Sequence, residues 1–243
     1  MRLTSFNRAA FILILVLSHG PVWVGAETSL KKTTAFQTYY EKILRLKPFA
    51  YWPADEGAGS ILYDRSGNGN NGKIYSVPWR EDFLQFDNDF YQWIEVPHHK
   101  TFDSGAFSFG GWVYHCFDQN PQNESRVGAI VMGQPLQSNG KWGAIWGDKL
   151  NTGAFLLRYF VPPKGKTAWL EVASGGEQDA LGSMEAKVQL PHSSWQHVIY
   201  TYDVGNAVLY FNGQPVRQRN QVPHKPADTP LVIGGGRWGT FNV

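Results

Sequence analysis

Residues 50–74 read AYWPADEGAGSILYDRSGNGNNGKI. An aromatic pair, Tyr51-Trp52, and an acidic pair, Asp55-Glu56, lead into Asp64 to Gly72, nine residues with three glycines and three asparagines. Gly67 to Gly72 satisfies G-x-G-x-x-G, and Gly67 to Lys73 satisfies all but the last position of a phosphate-cradling P-loop. Both motifs work only where a helix begins, because the helix N-terminus supplies the amides that hold phosphate. Here Ile74-Tyr75-Ser76-Val77-Pro78-Trp79 comes next, β-branched, aromatic and proline-broken, and Ile74 stands where a P-loop needs a hydroxyl. Asp64-x-Ser66-x-Asn68-Gly69 opens like an EF-hand loop, but Tyr75 occupies the twelfth position, which requires a bidentate Glu. Nucleotide cradle and EF-hand are both excluded. Two readings stay open: a glycine-asparagine turn, or a calcium site to which Asp64, Asn68 and Asn70 give oxygen.

Upstream, residues 1–26 have the layout of a secretory signal: Arg2 and Arg8, an apolar stretch from Ala9 to Leu17, and Val24-Gly25-Ala26 as cleavage site. The apolar stretch is short for a bilayer span, so no stable membrane segment is expected after cleavage. The 22 basic residues lose Arg2 and Arg8 with it, leaving 20 against 20 acidic ones. A neutral chain without a basic cluster argues against nucleic acid as a partner. Cys116 is the only cysteine, so no internal disulfide forms, which fits a periplasmic, cell-envelope or secreted protein of bacterial type.

Residues 27–48 form a helical segment. Within it, the helix of 34–47, TAFQTYYEKILRLK, sets Phe36, Tyr39, Tyr40, Ile43, Leu44 and Leu46 near one face and stops at Pro48. It reads as a stub packed on the domain that begins at Phe49, or as a docking helix. From Phe49 onward short apolar-aromatic runs alternate with turn clusters, among them AFSFGGWVYHCF, AFLLRYFV, TAWLEVA, WQHVIYTYD and AVLYFNG. Ten to twelve such strands imply an all-β fold of two packed antiparallel sheets.

These runs also carry a family resemblance. Tyr51-Trp52-x-x-Asp55-Glu56-Gly57-x-Gly59 with the Asp64–Gly72 loop, Phe107 to Val113, Trp195 to Asp203, Leu209 to Val216 and Leu231 to Gly235 succeed one another in the order found in laminin-G-like jelly rolls. The chain thus resembles the concanavalin A-like lectin/glucanase superfamily over residues 49–243. The resemblance implies a jelly-roll sandwich in which Trp52, Trp112 and Trp195 are core residues. It also implies a closing Asp-bearing strand that helps hold calcium beside the loop. The sequence given stops at Val243, where that strand is expected to begin, so the strand looks missing.

Because the superfamily includes glucanases, carboxylate pairs are the first catalytic candidates. Glu177, Asp179 and Glu185 have loop surroundings, and Asp55 and Glu56 are neighbours expected to point apart. His98-His99, His192 and His197 lack zinc-peptidase spacing, Ser108 and Ser194 lack a nucleophile-elbow context, and Asp203 reads as a turn residue rather than a triad member. The expectation is therefore a non-enzyme. Ten Trp, eleven Tyr and fifteen Phe suit stacking on sugar rings instead. Trp142, Trp146, Trp169 and Trp238, in or near polar and glycine-rich stretches, are the candidate carbohydrate platforms. The function expected is a secreted lectin-like module for a glycan, as part of a larger envelope protein. The alternatives are an adhesion module for an extracellular protein and a degenerate glycosidase domain.

Overall fold

Period-two alternation dictates which side chains enter the core. In the strand Ala106–Tyr114, Phe107, Phe109 and Val113 are buried while Ala106, Ser108 and Trp112 lie on the other face. In Trp195–Asp203, Gln196, Val198, Tyr200 and Tyr202 point inward in the same way. The computed structural model describes residues 35–80, 83–86, 92–114, 126–128, 132–133, 137–138, 141–142, 155–161, 167–174, 184–189, 194–224, 226 and 228–234.

Among the described residues the chain opens with helix α1 (Ala35–Arg45), then β1 (Ile61–Leu62), β2 (Gly72–Tyr75), β3 (Trp79–Arg80), β4 (Phe83–Leu84) and β5 (Trp93–Val96). A short 3-10 turn precedes β6 (Ala106–Tyr114), β7 (Arg126–Gly128), β8 (Met132–Gly133), β9 (Gln137–Ser138) and β10 (Lys141–Trp142). The longer strands come next: β11 (Phe155–Val161), β12 (Thr167–Ser174), β13 (Met184–Gln189) and β14 (Trp195–Asp203). Last come β15 (Asn206–Phe211), β16 (Gln214–Arg219) and β17 (Leu231–Gly234).

The strands form two principal antiparallel sheets, as the resemblance implied. The larger runs β1-β2-β5-β17-β8-β11-β12-β13, with β7 also on β11; the smaller runs β16-β15-β14-β6. Their inner faces share one core that includes Trp52, Leu62, Ile94, Phe109, Leu170, Val198, Tyr200 and Leu209. Leu62 and Ile74 bring β1 and β2 into the same core, which ties the stretch around the Asp64 loop to the rest of the sandwich. Burial of a large apolar side chain contributes about 1.5–3 kcal/mol. The longest pairing, β6 with β14, runs in register from Ala106 opposite Asp203 to Tyr114 opposite Trp195. Gly110 permits the close approach at its middle, since a Cβ there would stand 1.9 Å from the Val198 carbonyl oxygen. Edges are blunted: β1 has two residues, and β16 carries Pro215, Arg217 and Arg219.

Helix α1 packs on the sandwich, as a stub would. Ile43 and Tyr51 form a small second cluster with Tyr39, Tyr40 and Leu44. Tyr39 Oη accepts from Trp112 Nε1 at 3.2 Å, which places α1 against the outer face of the smaller sheet. Two expectations need correction. Leu46 lies just past the helix and is exposed, because the chain turns at Lys47 with φ of 51° instead of completing another helical turn. Trp112 and Trp195 are not core residues. They alternate with the inward-facing Val113 and Gln196, so α1 shields Trp112 and the Phe83 ring meets Trp195 edge-on at 6.2 Å.

Candidate functional site

The Asp64 loop is closed by its own hydrogen bonds. Gly67 and Gly69 take positive φ (91° and 76°), so the backbone turns on glycine alone; the Asn68 and Asn70 amides donate, while Asn71 Oδ1 accepts from Asp64 N at 2.9 Å. Asp64 Oδ1 accepts from Tyr51 N at 2.9 Å and Ser66 N at 2.8 Å. Asp64 Oδ2 accepts from Ser66 Oγ at 2.8 Å, Asn70 N at 2.9 Å and Asn70 Nδ2 at 3.3 Å. The Nδ2 atoms of Asn68 and Asn70 both donate to the Phe49 carbonyl at 2.9 Å, and the Asn70 carbonyl accepts the buried Trp52 indole N–H at 2.7 Å. The structure thus brings Asp64, Asn68 and Asn70 together. Yet N–H and O–H donors surround the carboxylate that a calcium ion would need, so in this arrangement the donor set fits a latch on Phe49–Trp52 rather than a cation cage. Among the described residues no group of three or more His, Cys, Asp or Glu could hold a metal.

Carboxylates elsewhere depart from the sequence reading. Asp55 and Glu56 do not diverge: they lie in a loop, and Arg65 Nη2 reaches Asp55 Oδ1 at 3.2 Å and Glu56 Oε1 at 3.8 Å. Burial raises the Glu56 carboxyl above its ordinary value, opposed by the hydrogen bond from Tyr63 N. Glu177 and Asp179 lie outside the described residues. Glu185 pairs instead across the β12–β13 ladder, directly opposite Glu171, a residue the sequence reading overlooked. No spacing rule could have found it, because the partner is set by strand register. His98 Nε2 stands 3.0 Å from Asp103 Oδ1, and His99 caps the 3-10 turn through Nδ1. His197 lies on the outer face of β14 against the Trp112 ring, and burial lowers its imidazole below the ordinary value.

The outer face of the larger sheet gathers the remaining polar and aromatic groups. One transverse row is continuous across seven strands: Ile61, Lys73, Glu95, Val232, Gly133, Leu156 and Ala173. One step to the same side, Tyr75, Trp93 and Gly234 are in register at one end, and Arg158, Glu171 and Glu185 at the other. The Tyr75 and Trp93 rings stack at 4.3 Å and 13°, with Lys73 Nζ 4.9 Å from the Tyr75 centroid. Both aromatic residues are half-buried, alternating with core residues Ile74 and Ile94. Among the described residues the Trp93 indole Nε1 is shielded from solvent without a hydrogen-bond partner.

Of the four tryptophans singled out in the sequence, Trp146 and Trp238 lie outside the described residues. Trp142 and Trp169 are described at the backbone only: Trp142 pairs with Gln137, and Trp169 lies between Phe160 and Lys187. Trp169 therefore belongs to the row beyond Glu171, on the face that carries exposed Lys187 and Glu185. The aromatic pair actually stacked on that face, Tyr75 and Trp93, was not anticipated. A signal was present in the alternation Lys73-Ile74-Tyr75 and Trp93-Ile94-Glu95, which sets each aromatic opposite a buried isoleucine.

The family described as the concanavalin A-like lectin/glucanases superfamily matches residues 87–242. No curated protein matches the sequence. Among solved structures, the Trypanosoma rangeli sialidase in complex with sialic acid is similar at 16% identity with a TM-score of 0.52, over 76% of this chain and 27% of that one. A heptameric SAP-like pentraxin from Limulus polyphemus is 16% identical with a TM-score of 0.36, over 53% of this chain and 51% of that one. Domain 4 of an extracellular arabinanase from Geobacillus stearothermophilus, solved with arabinotriose, is 14% identical with a TM-score of 0.43, over 74% and 81%. The chain spans about half of the pentraxin and about a quarter of the sialidase chain. The sialidase match supports the sandwich fold.

Proposed function

We infer function from the family: the chain belongs to the concanavalin A-like lectin/glucanase superfamily, and we propose that it is a secreted, non-catalytic, lectin-like module. Its ligand is a glycan, bound on the outer face of the larger sheet. The observation that carries this reading is the Tyr75–Trp93 stack beside the Lys73–Glu95 pair of the neighbouring row. Sugar rings offer what such a site lacks, apolar C–H faces for the aromatic pair and hydroxyls that both accept and donate. Alternating charges on the same face (Lys73, Glu95, Glu185 and Lys187) interrupt the broad apolar surface that a protein-binding module would present. Among the described residues no helix is long and apolar enough to cross a membrane.

Glycan-panel binding with the intact chain tests the proposal. Binding of at least one glycan, weakened tenfold or more in Trp93→Ala with the melting midpoint monitored, supports it. Absence of all binding by a folded protein moves the reading to protein recognition. Glu171, buried, and Glu185, exposed, are register partners across β12 and β13, and they are the carboxylate pair a second, glycosidase reading would use, since retaining glycosidases hold two carboxylates about 5 Å apart. Release of reducing ends from a bound glycan, abolished in Glu171→Gln and in Glu185→Gln, would overturn the non-catalytic assignment.

A further inference from the structure

Among the described residues, β1 and β13 end the larger sheet, and β16 and β6 the smaller. Three of these edges are broken: β1 has two residues, β16 carries Pro215 beside a register shift at Leu209/Tyr210, and Gly110-Gly111 interrupts β6. β13 (Met184–Gln189) differs. It has neither proline nor glycine, and it pairs with β12 in six consecutive register positions without a bulge. Met184, Ala186 and Val188 are buried, while Glu185, Lys187 and Gln189 are exposed. Among the described residues no strand pairs with the other side of β13, so its backbone N–H and C=O groups there form a template for a further strand.

The side-chain order along this edge is self-complementary. A second copy of β13, turned about a two-fold axis through Ala186, sets its Lys187 opposite Glu185 and its Glu185 opposite Lys187. Met184 then meets the second copy's Val188, and both core faces stay on the same side of the joined sheet. Neighbouring registers lose the match. Pairing centred on Glu185 or on Lys187 sets like charges opposite each other, which destabilises, and a slip of one residue turns the second copy's exposed side chains onto the core side. An edge lysine deters pairing where no carboxylate meets it; here the two-fold axis supplies one.

We propose that two copies of this chain associate through β13, antiparallel about Ala186, so that their larger sheets join into one. The assembly does not depend on what the Tyr75–Trp93 stack binds. Because β2 and β5 lie towards the opposite end of the sheet from β13, the two stacks stand far apart on one side of the joined sheet. A repetitive ligand that spans both stacks would be held bivalently.

Sedimentation velocity of the intact chain, over about a hundredfold range of concentration, reads the monomer–dimer equilibrium. The expected wild type is a reversible dimer. Glu185→Lys and Lys187→Glu each put like charges into both cross-strand pairs, and each is expected to raise the dimer dissociation constant at least about tenfold. The double variant restores opposite charges, and its dissociation constant returns to within about threefold of wild type. The two single variants mixed in equal amounts form a heterodimer, because one carries Glu and the other Lys at both positions. All these substitutions fall at exposed positions, and circular dichroism monitors folding. A wild type that stays monomeric at every concentration overturns the proposal. So does a dimer indifferent to both charge reversals. Dimerisation lost in the single variants but restored neither in the double variant nor in the mixture overturns the register about Ala186.

Discussion

Replacing Asp64 with alanine tests the account of the Asp64–Gly72 loop most directly. The carboxylate accepts hydrogen bonds from Tyr51 N, Ser66 N, Ser66 Oγ, Asn70 N and Asn70 Nδ2. Ser66 Oγ and Asn70 Nδ2 keep a second acceptor in the Phe49 carbonyl, so the loss falls chiefly on three backbone N–H groups. Hydrogen bonds to a charged group contribute about 1.5–3 kcal/mol each, and donors left unsatisfied cost about 1–3 kcal/mol when buried. Tyr51 is fully buried, whereas the loop is only partly so, and about 3–5 kcal/mol in total is the expected loss. For a chain of this size that lowers the midpoint by about 10 °C. Urea denaturation of the wild type, Asp64→Ala and Asp64→Asn measures it, with Asp64→Asn intermediate because one oxygen remains. A loss below about 1 kcal/mol for Asp64→Ala would refute the latch. So would a wild-type midpoint that falls in chelator and recovers with calcium while Asp64→Ala shows neither response, since the carboxylate would then act through a cation.

Further expectations concern the core and the helix. Gly110→Ala places a methyl 1.9 Å from the Val198 carbonyl oxygen, so the β6–β14 pairing must yield; a loss above about 3 kcal/mol or insoluble expression is expected, and near-wild-type melting would contradict the register. Tyr39→Phe removes the acceptor for Trp112 Nε1 and should cost about 1 kcal/mol, with faster amide exchange in α1. His197 is half-buried, and desolvation lowers its folded-state value from 6.5. The unfolded chain therefore binds more protons below about pH 6.5, so this contribution is complete above that value and is lost as pH falls. Stability measured from about pH 7.5 to about pH 5.5 should decline less in His197→Gln than in wild type, and parallel curves would remove His197 as the source.

The strands were legible because each inward residue repeats at every second position, and Phe107, Phe109, Val198 and Tyr200 need no partner to announce a core face. The loop's turn was legible in Gly67 and Gly69, whose absent side chains admit positive φ. Its chemistry was not: whether Asp64 meets a cation or five donors depends on Tyr51 and Phe49 folding back onto it from more than a dozen residues away. Register hid the candidate site in the same manner. Tyr75 faces Trp93, and Glu171 faces Glu185, only because of strand offsets that leave no trace in local composition. Trp112 and Trp195 show the converse failure, since period two places them outside the core although their size suggests the inside.

The position of α1 gives the sandwich a front and a back. Because Tyr39 and Ile43 seat the helix on the smaller sheet's side, α1 lies on the surface opposite the Tyr75–Trp93 stack, with Ala35 as its first residue. An anchor, bead or fusion partner attached at that end therefore leaves the aromatic face turned outward. Immobilisation through the N-terminal side should preserve ligand access, whereas cross-linking through Lys73 or Lys187 should block it.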